Sequence, residues 1–506
     1  MDARMTGPAS LSALRDALRG REPPPASGLA QRSFYPWLVV GTVSIGAFMG
    51  QLDASIVQLL LPMLESEFGA RLSAVSWVAL AYLLAMTVFL PICGRLAEMF
   101  GQKLLYTGGF LLFVLGTALC SLAPTLPLLI AFRVLEAIGA SLLAANSIAI
   151  VVGASAPALR GRALGIQGAA QAIGLALGPA LGGVLLETLG WRSAFWINVP
   201  FGLAGALAGW FILPKTKSLS PDRRFDWRGA LLIGPALAAL MVALNEGRGW
   251  GLTSPLLIGT GLLAIVFVAL FVTAERRAAM PLVDLSLFRS PTFASGNMAG
   301  LLVYAALFGM FFLMPFVLVR GYHDTWLLAG LRLSIIPVAL GIAAPLSGAL
   351  SDRLGPRVPT VAGMATCLVA LTLLFMALEG TRHDVPLIMV ALAVFGAGQG
   401  LFTAPNNSAV MTSAPQHLSG EAGSLLNVMR SLGMSIGIAT AATILSWQLQ
   451  VLTGNGDTTV GVPEADLLAA ARAVVLFLAG LCIAAACLSL VRPTKAVRPA
   501  PARPRA

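Results

Sequence analysis

Long apolar runs alternate with short polar segments along almost the whole chain. A membrane-spanning helix needs about 20 mainly apolar residues, and windows of that length predict fourteen such helices. A large soluble helical protein with this pattern would have too little polar surface to cover it. The pattern therefore predicts an all-α polytopic membrane protein. The predicted helices lie at 36–60, 74–93, 104–122, 126–150, 164–186, 194–213, 229–245, 254–273, 293–317, 328–350, 358–378, 386–411, 422–447 and 468–491.

Composition and charge support this class and predict an orientation. Hydrophobic residues make up 57% of the 506 residues and charged residues 11%, against roughly 25% charged in a typical soluble domain. With fourteen helices both termini lie on one side, and 24 of the 33 Lys and Arg residues fall in the tails and loops of that side, against five in the opposite loops. Positively charged loops stay inside, so we expect the cytoplasmic membrane with both termini in the cytoplasm. The net charge of +11 then reflects topology and contact with anionic membrane lipid. Nucleic acid is excluded as a partner, because no soluble basic domain is present.

Two ten-residue segments repeat 254 positions apart, half the chain length: GRLAEMFGQK at 94–103 and GALSDRLGPR at 348–357. Each joins two apolar runs and holds an acid and a cation between glycines. Such a repeat indicates duplicated helical halves, the architecture of secondary transporters. We expect these turns to form a charge latch that closes the cytoplasmic side; the alternative is solvated loop charges. The predicted gate residues are Gly94, Glu98, Gly101, Lys103, Asp352 and Arg353.

Three ionisable residues fall inside predicted helices. Asp53 lies near the middle of the first, and Arg133 and Glu136 lie three apart on one face of the fourth. An ionisable group at mid-membrane is costly and is a functional hypothesis by default. We expect these residues to couple transport to protons. The alternatives are that Asp53 forms a structural pair with Arg133, and that Glu136 lies on a packing face.

Several segments resemble one known family. The turn with Gly94, Leu96, Glu98, Gly101 and Lys103 resembles the loop signature between helices 2 and 3 of the major facilitator superfamily. GLALGPALGGVL at 174–185 resembles its antiporter motif, with Gly174, Gly178, Pro179, Gly182 and Gly183 in place. LDASIVQLLLP at 52–62 resembles the first-helix motif of drug/proton antiporters, and GWRSAFWINVPFG at 190–202 resembles their fourteen-span branch. Together with PLVDLSLFRSPTF at 281–293, the resemblance covers nearly the whole chain.

The resemblance implies a proton-coupled exporter of drugs or other amphipathic organic compounds, not an enzyme, with the proton as its coupling ion and no cofactor. It implies two six-helix halves, 35–213 and 293–491, with two additional helices in 214–292 between them. The flanking segments 1–34 and 492–506 are expected to be a disordered arm and tail, and the protein is expected to be a monomer. The chain departs from the family pattern at Glu98, Gln102, Glu136 and Ala137. Glu136 stands where relatives have glutamine, so it is expected to alter coupling or the preferred substrate charge.

The substrate is the least determined feature. Sparse polar groups among many Met, Phe and Leu residues favour amphipathic, often cationic, compounds. Pro405 also predicts local unwinding that would bring Asn406 or Asn407 into the cavity. Two alternatives remain, namely export of lipid or cell-envelope precursors, and a membrane sensor or assembly partner without transport. The candidate substrate-binding residues are Gln58, Asn146, Gln171, Asn297, Tyr304, Gln399, Asn406 and Asn427. The five cysteines and three histidines lack metal-ligand spacing, so no metal is expected.

Overall fold

The computed structural model describes residues 22–26, 28–216, 227–250, 254–278, 284–379, 384–415 and 418–491. Within these residues fourteen helices are long and apolar enough to cross a membrane, which confirms the predicted class and number. Residues 1–21 and 492–506, which belong to the predicted arm and tail, lie outside the described residues.

The fourteen helices follow one another through short connections. Helices α1 to α6 are Tyr35–Phe68, Leu72–Phe100, Gln102–Leu122, Leu126–Ala154, Arg160–Thr188, and the pair Ser193–Trp196 with Asn198–Ile212, which together form α6. Helices α7 and α8 are Trp227–Trp250 and Pro255–Arg277. Helices α9 to α14 are Pro291–Phe316 extended by the π-turn Val317–Gly321, Trp326–Leu333 with Ile335–Leu354, Arg357–Ala377, Val385–Ser413, Ser419–Thr453 and Glu464–Leu490. Short 3₁₀ turns precede α5 and α9, at Pro157–Leu159 and Leu285–Arg289.

Packing divides the helices into groups. Helices α1 to α6 pack mainly on one another, as do α9 to α14. The two groups meet where α2 contacts α13, where α5 contacts α10 and where α1 contacts α9. We call the end of the bundle at which α1 begins the N-terminal face, and the end at which α1 finishes the opposite face.

The additional helix α7 touches both groups. The Asn245 side chain accepts a hydrogen bond from Ser76 of α2 at 2.9 Å, and the Leu244 carbonyl accepts one from Thr443 of α13 at 2.6 Å. Helix α8 packs on α7 and is otherwise mostly exposed. An apolar helix that is exposed in this way is expected to face lipid.

Residues 22–26 of the predicted disordered arm instead lie against the bundle. The Glu22 carboxylate is buried and accepts hydrogen bonds from the Leu104 and Thr216 amides at 3.3 and 3.0 Å. Helix N-termini leave amide groups free and carry positive potential, so a carboxylate is stabilised at the start of α3. Glu22, beside the three prolines of the arm, therefore has specific partners on the bundle, while the disorder of the arm stays a prediction.

Candidate functional site

A buried charged cluster lies in the first helical group. Arg133 Nη1 of α4 is 2.8 Å from Asp53 Oδ2 of α1 and 2.7 Å from Glu136 Oε2, one turn along α4. The three side chains are at most 1% exposed. The spacing on α4 places Arg133 and Glu136 on one face, as predicted, and the packing of α1 on α4 brings Asp53 to the same guanidinium.

Neighbouring helices hold this cluster in place. The Val78 carbonyl of α2 accepts from Arg133 Nε at 3.2 Å, and Asn198 Nδ2 of α6 donates to Asp53 Oδ1 at 3.4 Å. Helix α3 comes so close to α4 that a Cβ on Gly116 would lie 2.6 Å from the Glu136 Cα. Because Gly116 has no side chain, the two helices pack closely at this point, and the backbone of α3 encloses Glu136 on that side.

The charges in the cluster do not balance when both carboxyl groups are ionised. Two carboxylates then share one guanidinium, and one proton would bring the cluster to neutrality. Glu136 Oε1 is buried and has no hydrogen-bond partner among the described residues. A carboxyl oxygen in that position can hold a proton without displacing an existing bond.

A cavity lies between the two helical groups and nearer the N-terminal face, and its empty space of roughly 860 Å³ includes open solvent at its mouth. Helices α1 to α5 line one side and α13 the other. Tyr82 is part of the wall, and the centre of its ring is 4.1 Å from Arg133 Cζ. Tyr82 therefore separates the cavity from the charged cluster. The hydrogen-bonding side chains of the wall are Gln51, Tyr82, Ser147, Gln167, Gln171, Asn427, Arg430 and Ser431.

The cavity includes only part of the predicted substrate-binding set. Gln171 and Asn427 line it. Six others, Gln58, Asn146, Asn297, Tyr304, Gln399 and Asn406, are not among its lining residues. Helix α12 is continuous through Pro405, so the predicted unwinding is wrong. A proline inside an apolar span does not by itself break a helix, because neighbouring helices stabilise it.

Two of these six residues have hydrogen-bond partners on their own helices, and the substrate-binding role of all six stays a prediction. The Asn146 and Asn297 amides donate to the carbonyls of Leu142 and Phe293, one turn earlier on their own helices, at 2.7 and 3.0 Å. The cavity instead includes Gln51, Gln167 and Arg430, which sequence reasoning did not select. The signal that could have found Arg430 is its charge inside a predicted helix, the same signal that selected Arg133.

The glycines of the predicted antiporter motif allow close helix crossings. Gly174 and Gly178 face α1, where an added Cβ would meet the Phe48 carbonyl and the Ser55 hydroxyl, and Gly182 faces the same helix at ordinary contact distance. Gly183 faces α10 instead, with the Leu327 Cα 3.0 Å from its added Cβ. Small residues permit such approaches. The motif therefore contacts both helical groups, while the antiporter function that the resemblance implies stays a prediction.

The repeated turns both lie at the N-terminal face. Gly101 and Gly355, which are equivalent in the repeat, have φ of 115° and 78°, a backbone region that favours glycine. Glu98 pairs with Arg95 at 2.7 Å, whereas Lys103 is buried and donates to the carbonyls of Pro23 and Leu213, each at 2.8 Å. Glu98 and Lys103 therefore do not bond to each other.

The second turn carries its charges differently. Asp352 and Arg353 are exposed at the end of α10. The gating role of both turns stays a prediction.

A second charged network joins the two helical groups at the opposite face. Glu65 of α1 is completely buried, and its Oε2 is 2.8 Å from Arg320 Nη1 of the π-turn after α9. The Thr459 amide and hydroxyl and the Thr458 hydroxyl also donate to this carboxylate, at 2.7, 2.7 and 2.8 Å. We call these four residues the Glu65 network. Sequence reasoning missed it, because both charged residues lie at the ends of apolar runs, where loop charges are common.

Comparison with known proteins identifies the family. The family model described as Major Facilitator Superfamily matches residues 43–438. The riboflavin transporter RibZ of Clostridioides difficile is 33% identical over 413 residues, which cover 82% of this chain and 89% of RibZ. The multidrug resistance protein Stp of Mycobacterium tuberculosis is 36% identical over 414 residues, covering 81% of this chain and 76% of Stp.

Solved structures agree in fold. A bacterial homologue of the human lysosomal transporter Spinster, in an inward-facing and occupied conformation, matches with a TM-score of 0.65 at 15% identity, covering 91% of this chain and 97% of that one. A D-xylose–proton symporter matches with a TM-score of 0.60 at 14% identity, covering 88% and 97%. At these identities the likeness is one of fold alone.

Proposed function

The chain belongs to the Major Facilitator Superfamily as a membrane transporter with fourteen apolar helices, and we propose that it exports amphipathic organic compounds in exchange for protons. The relatives include proteins named for multidrug resistance and one named for riboflavin transport, so the family leaves the substrate open. Proton exchange is inferred from the charged cluster.

The charge distribution supports a cytoplasmic location for the N-terminal face. The tails and loops that the fourteen-helix topology assigns to that face hold 24 of the 33 Lys and Arg residues of the sequence, and positively charged loops remain in the cytoplasm. In this orientation the cavity takes compounds from the cytoplasmic side, while the Glu65 network holds the extracytoplasmic side closed. Alternating access then requires that the network separate and that the N-terminal face close.

The single observation that carries the proposal is the sharing of Arg133 by Asp53 and Glu136 beside the cavity. One proton neutralises the cluster, and its arrival or departure changes how strongly α1 is held to α4. Because α1 also carries Glu65 of the extracytoplasmic network, a change in that contact can be transmitted to the closed end. The Glu136 side chain is not in the cavity wall, so we assign it to coupling rather than to direct attraction of substrate.

The proposal predicts that Asp53→Asn abolishes uphill transport while downhill movement of the same compound continues. Transport of a panel of fluorescent amphipaths would be measured in proteoliposomes with and without a proton gradient, beside internal pH. Glu136→Gln is the matched variant, because it removes the other carboxylate from the same guanidinium. Loss of uphill transport in only one of the two variants identifies the essential proton carrier. Uphill transport at the wild-type rate by both variants would exclude the cluster from coupling.

A further inference from the structure

Arg430 differs from the other arginines inside the helical bundle. Its guanidinium carbon is 5.3 Å from the centre of the Tyr304 ring, and Nη1 is 3.5 Å from Gln171 Oε1, the outer limit of a hydrogen bond. No carboxylate in the described part of the chain lies within ion-pair distance of it. Four other arginines of the spans each pair with a carboxylate, namely Arg133, Arg320, Arg332 and Arg472.

The position of Arg430 places this charge in the transport cavity. It lies eleven residues into α13, about 16 Å along the axis at 1.5 Å per residue. Among the twenty described residues that line the cavity, Arg430 is the only one with a formal charge. The negative charges of Asp53 and Glu136 are enclosed behind Tyr82. A compound in the cavity therefore meets a positive wall group rather than a negative one.

The guanidinium also has hydrogen-bonding capacity to spare. An arginine side chain has five N–H donors in a planar fork, and within the described residues one of them contacts an acceptor, at the 3.5 Å limit. That fork matches the two oxygens of a carboxylate or the oxygens of a phosphate or sulfonate. Neutral amides of Gln51, Gln171 and Asn427 stand nearby on the wall and can bind the polar remainder of a compound.

We propose that Arg430 binds the anionic group of the transported compound, so that this cavity takes amphipathic anions with an apolar ring system. The inference rests on the proposed function, since it names the class of compound carried by the same cavity. It reverses the cationic preference expected from the sequence, where Glu136 was counted as a possible cavity charge. The apolar part of the anion would contact Leu83, Met86, Phe113 and Leu143, which form much of the remaining wall.

Equilibrium binding to the full-length protein in neutral phosphatidylcholine nanodiscs tests the proposal without a proton gradient. The probes are fluorescein, an anion at pH 7.5, and rhodamine 123, a cation on the same three-ring frame, each followed by fluorescence anisotropy. Hydrogen bonds to charged groups are strong enough that Arg430→Gln should weaken fluorescein binding by about tenfold to a hundredfold. Rhodamine 123 binding should stay equal or strengthen. Arg430→Lys, which keeps the charge, should retain much of the fluorescein affinity.

The control is Asn427→Ala, one turn away on the same wall, which should change both affinities by a similar factor. Undetectable fluorescein binding by the wild type, tighter binding of rhodamine 123 than of fluorescein, or equal fluorescein affinity in wild type and Arg430→Gln would overturn the proposal. A failure of proton coupling appears only in the gradient-driven transport of the Asp53 variant. The two failures are therefore distinguishable.

Discussion

The two ends of the helical bundle are organised in different ways. At the N-terminal face the charges of the first repeated turn bond locally: Glu98 pairs with Arg95, and Lys103 bonds to the Pro23 and Leu213 carbonyls, on the N-terminal arm and after α6. At the opposite face Glu65 binds Arg320, from the other group, and is completely buried. The charges that form a sequence motif therefore shape the turns in this conformation, whereas charges outside any motif join the two groups.

The opposite face is closed by backbone as well as by charge. The Leu72 amide donates to the Asp457 carbonyl at 2.7 Å, and the Glu187 carboxylate accepts from the Leu327 amide at the start of α10 at 2.8 Å. Gly330 of α10 also approaches Pro179 of α5, where an added Cβ would meet the Pro179 carbonyl. In the described residues both ion pairs between the groups, Glu65–Arg320 and Arg71–Asp457, lie at this end.

Among the substitutions that test the contrast between the two ends, removing the charge of Glu65 is expected to have the largest effect. Breaking a buried ion pair by changing one partner costs about 3–5 kcal/mol. Because Arg320 is 15% exposed and can still contact water, we expect the lower end of that range. Glu65→Gln should therefore weaken the association of the two helical groups at this face by about 3 kcal/mol. Spin labels at Leu189 and Leu328, both exposed at this face, should then show a longer and broader distance distribution in a cysteine-free background.

The control for that experiment is Glu67→Gln, two residues further along α1. Glu67 pairs with Arg192 of the same helical group at 3.7 Å, and both side chains are nearly half exposed. The same change of charge should therefore leave the label distance unaltered. A wild-type distance distribution in Glu65→Gln would show that the glycine crossing of α5 and α10 closes this end without the network.

Whether the sequence predicted a contact depends on how far apart its residues lie along the chain. The apolar runs predicted fourteen helices because burial in lipid depends on local composition, although α1 continues to Phe68, beyond its expected end at residue 60. The spacing of Arg133 and Glu136 is likewise local. Glu65 and Arg320 are 255 positions apart, and their contact depends on how two helical groups dock, which no periodicity records. The same holds for Arg430, whose surroundings come from α5 and α9.

Replacing Gly101, the glycine of the first repeated turn, is expected to have an intermediate effect, and this effect is on thermal stability. Gly101 has a φ of 115° and its added Cβ would meet the Glu22 carboxylate. A side chain in such a conformation costs about 1–2 kcal/mol, so Gly101→Ala should lower the thermal unfolding temperature. Gly94→Ala, seven residues earlier in the same motif, should leave it unchanged or slightly raise it, because Gly94 is helical and its added Cβ would be 3.7 Å from Ala145 Cβ. The Leu189–Leu328 label distance should not respond to either variant. A longer distance in Gly101→Ala would contradict the local role of the turn.

Glu98 is expected to have the smallest effect on stability, and it separates the turn's structure from its predicted gating role. Its pair with Arg95 is an i,i+3 contact in which the Glu98 side chain is 55% exposed, and such pairs contribute about 0–0.5 kcal/mol. Glu98→Gln should therefore leave both the unfolding temperature and the label distance at their wild-type values.

If Glu98 latches the N-terminal face in the alternate conformation, the same variant should still transport more slowly at saturating substrate with an unchanged KM, because only the conformational step is affected. Asp352→Asn, at the equivalent position of the repeat, should slow transport in the same way. Wild-type turnover in both variants would mean that the two acids are solvated loop charges.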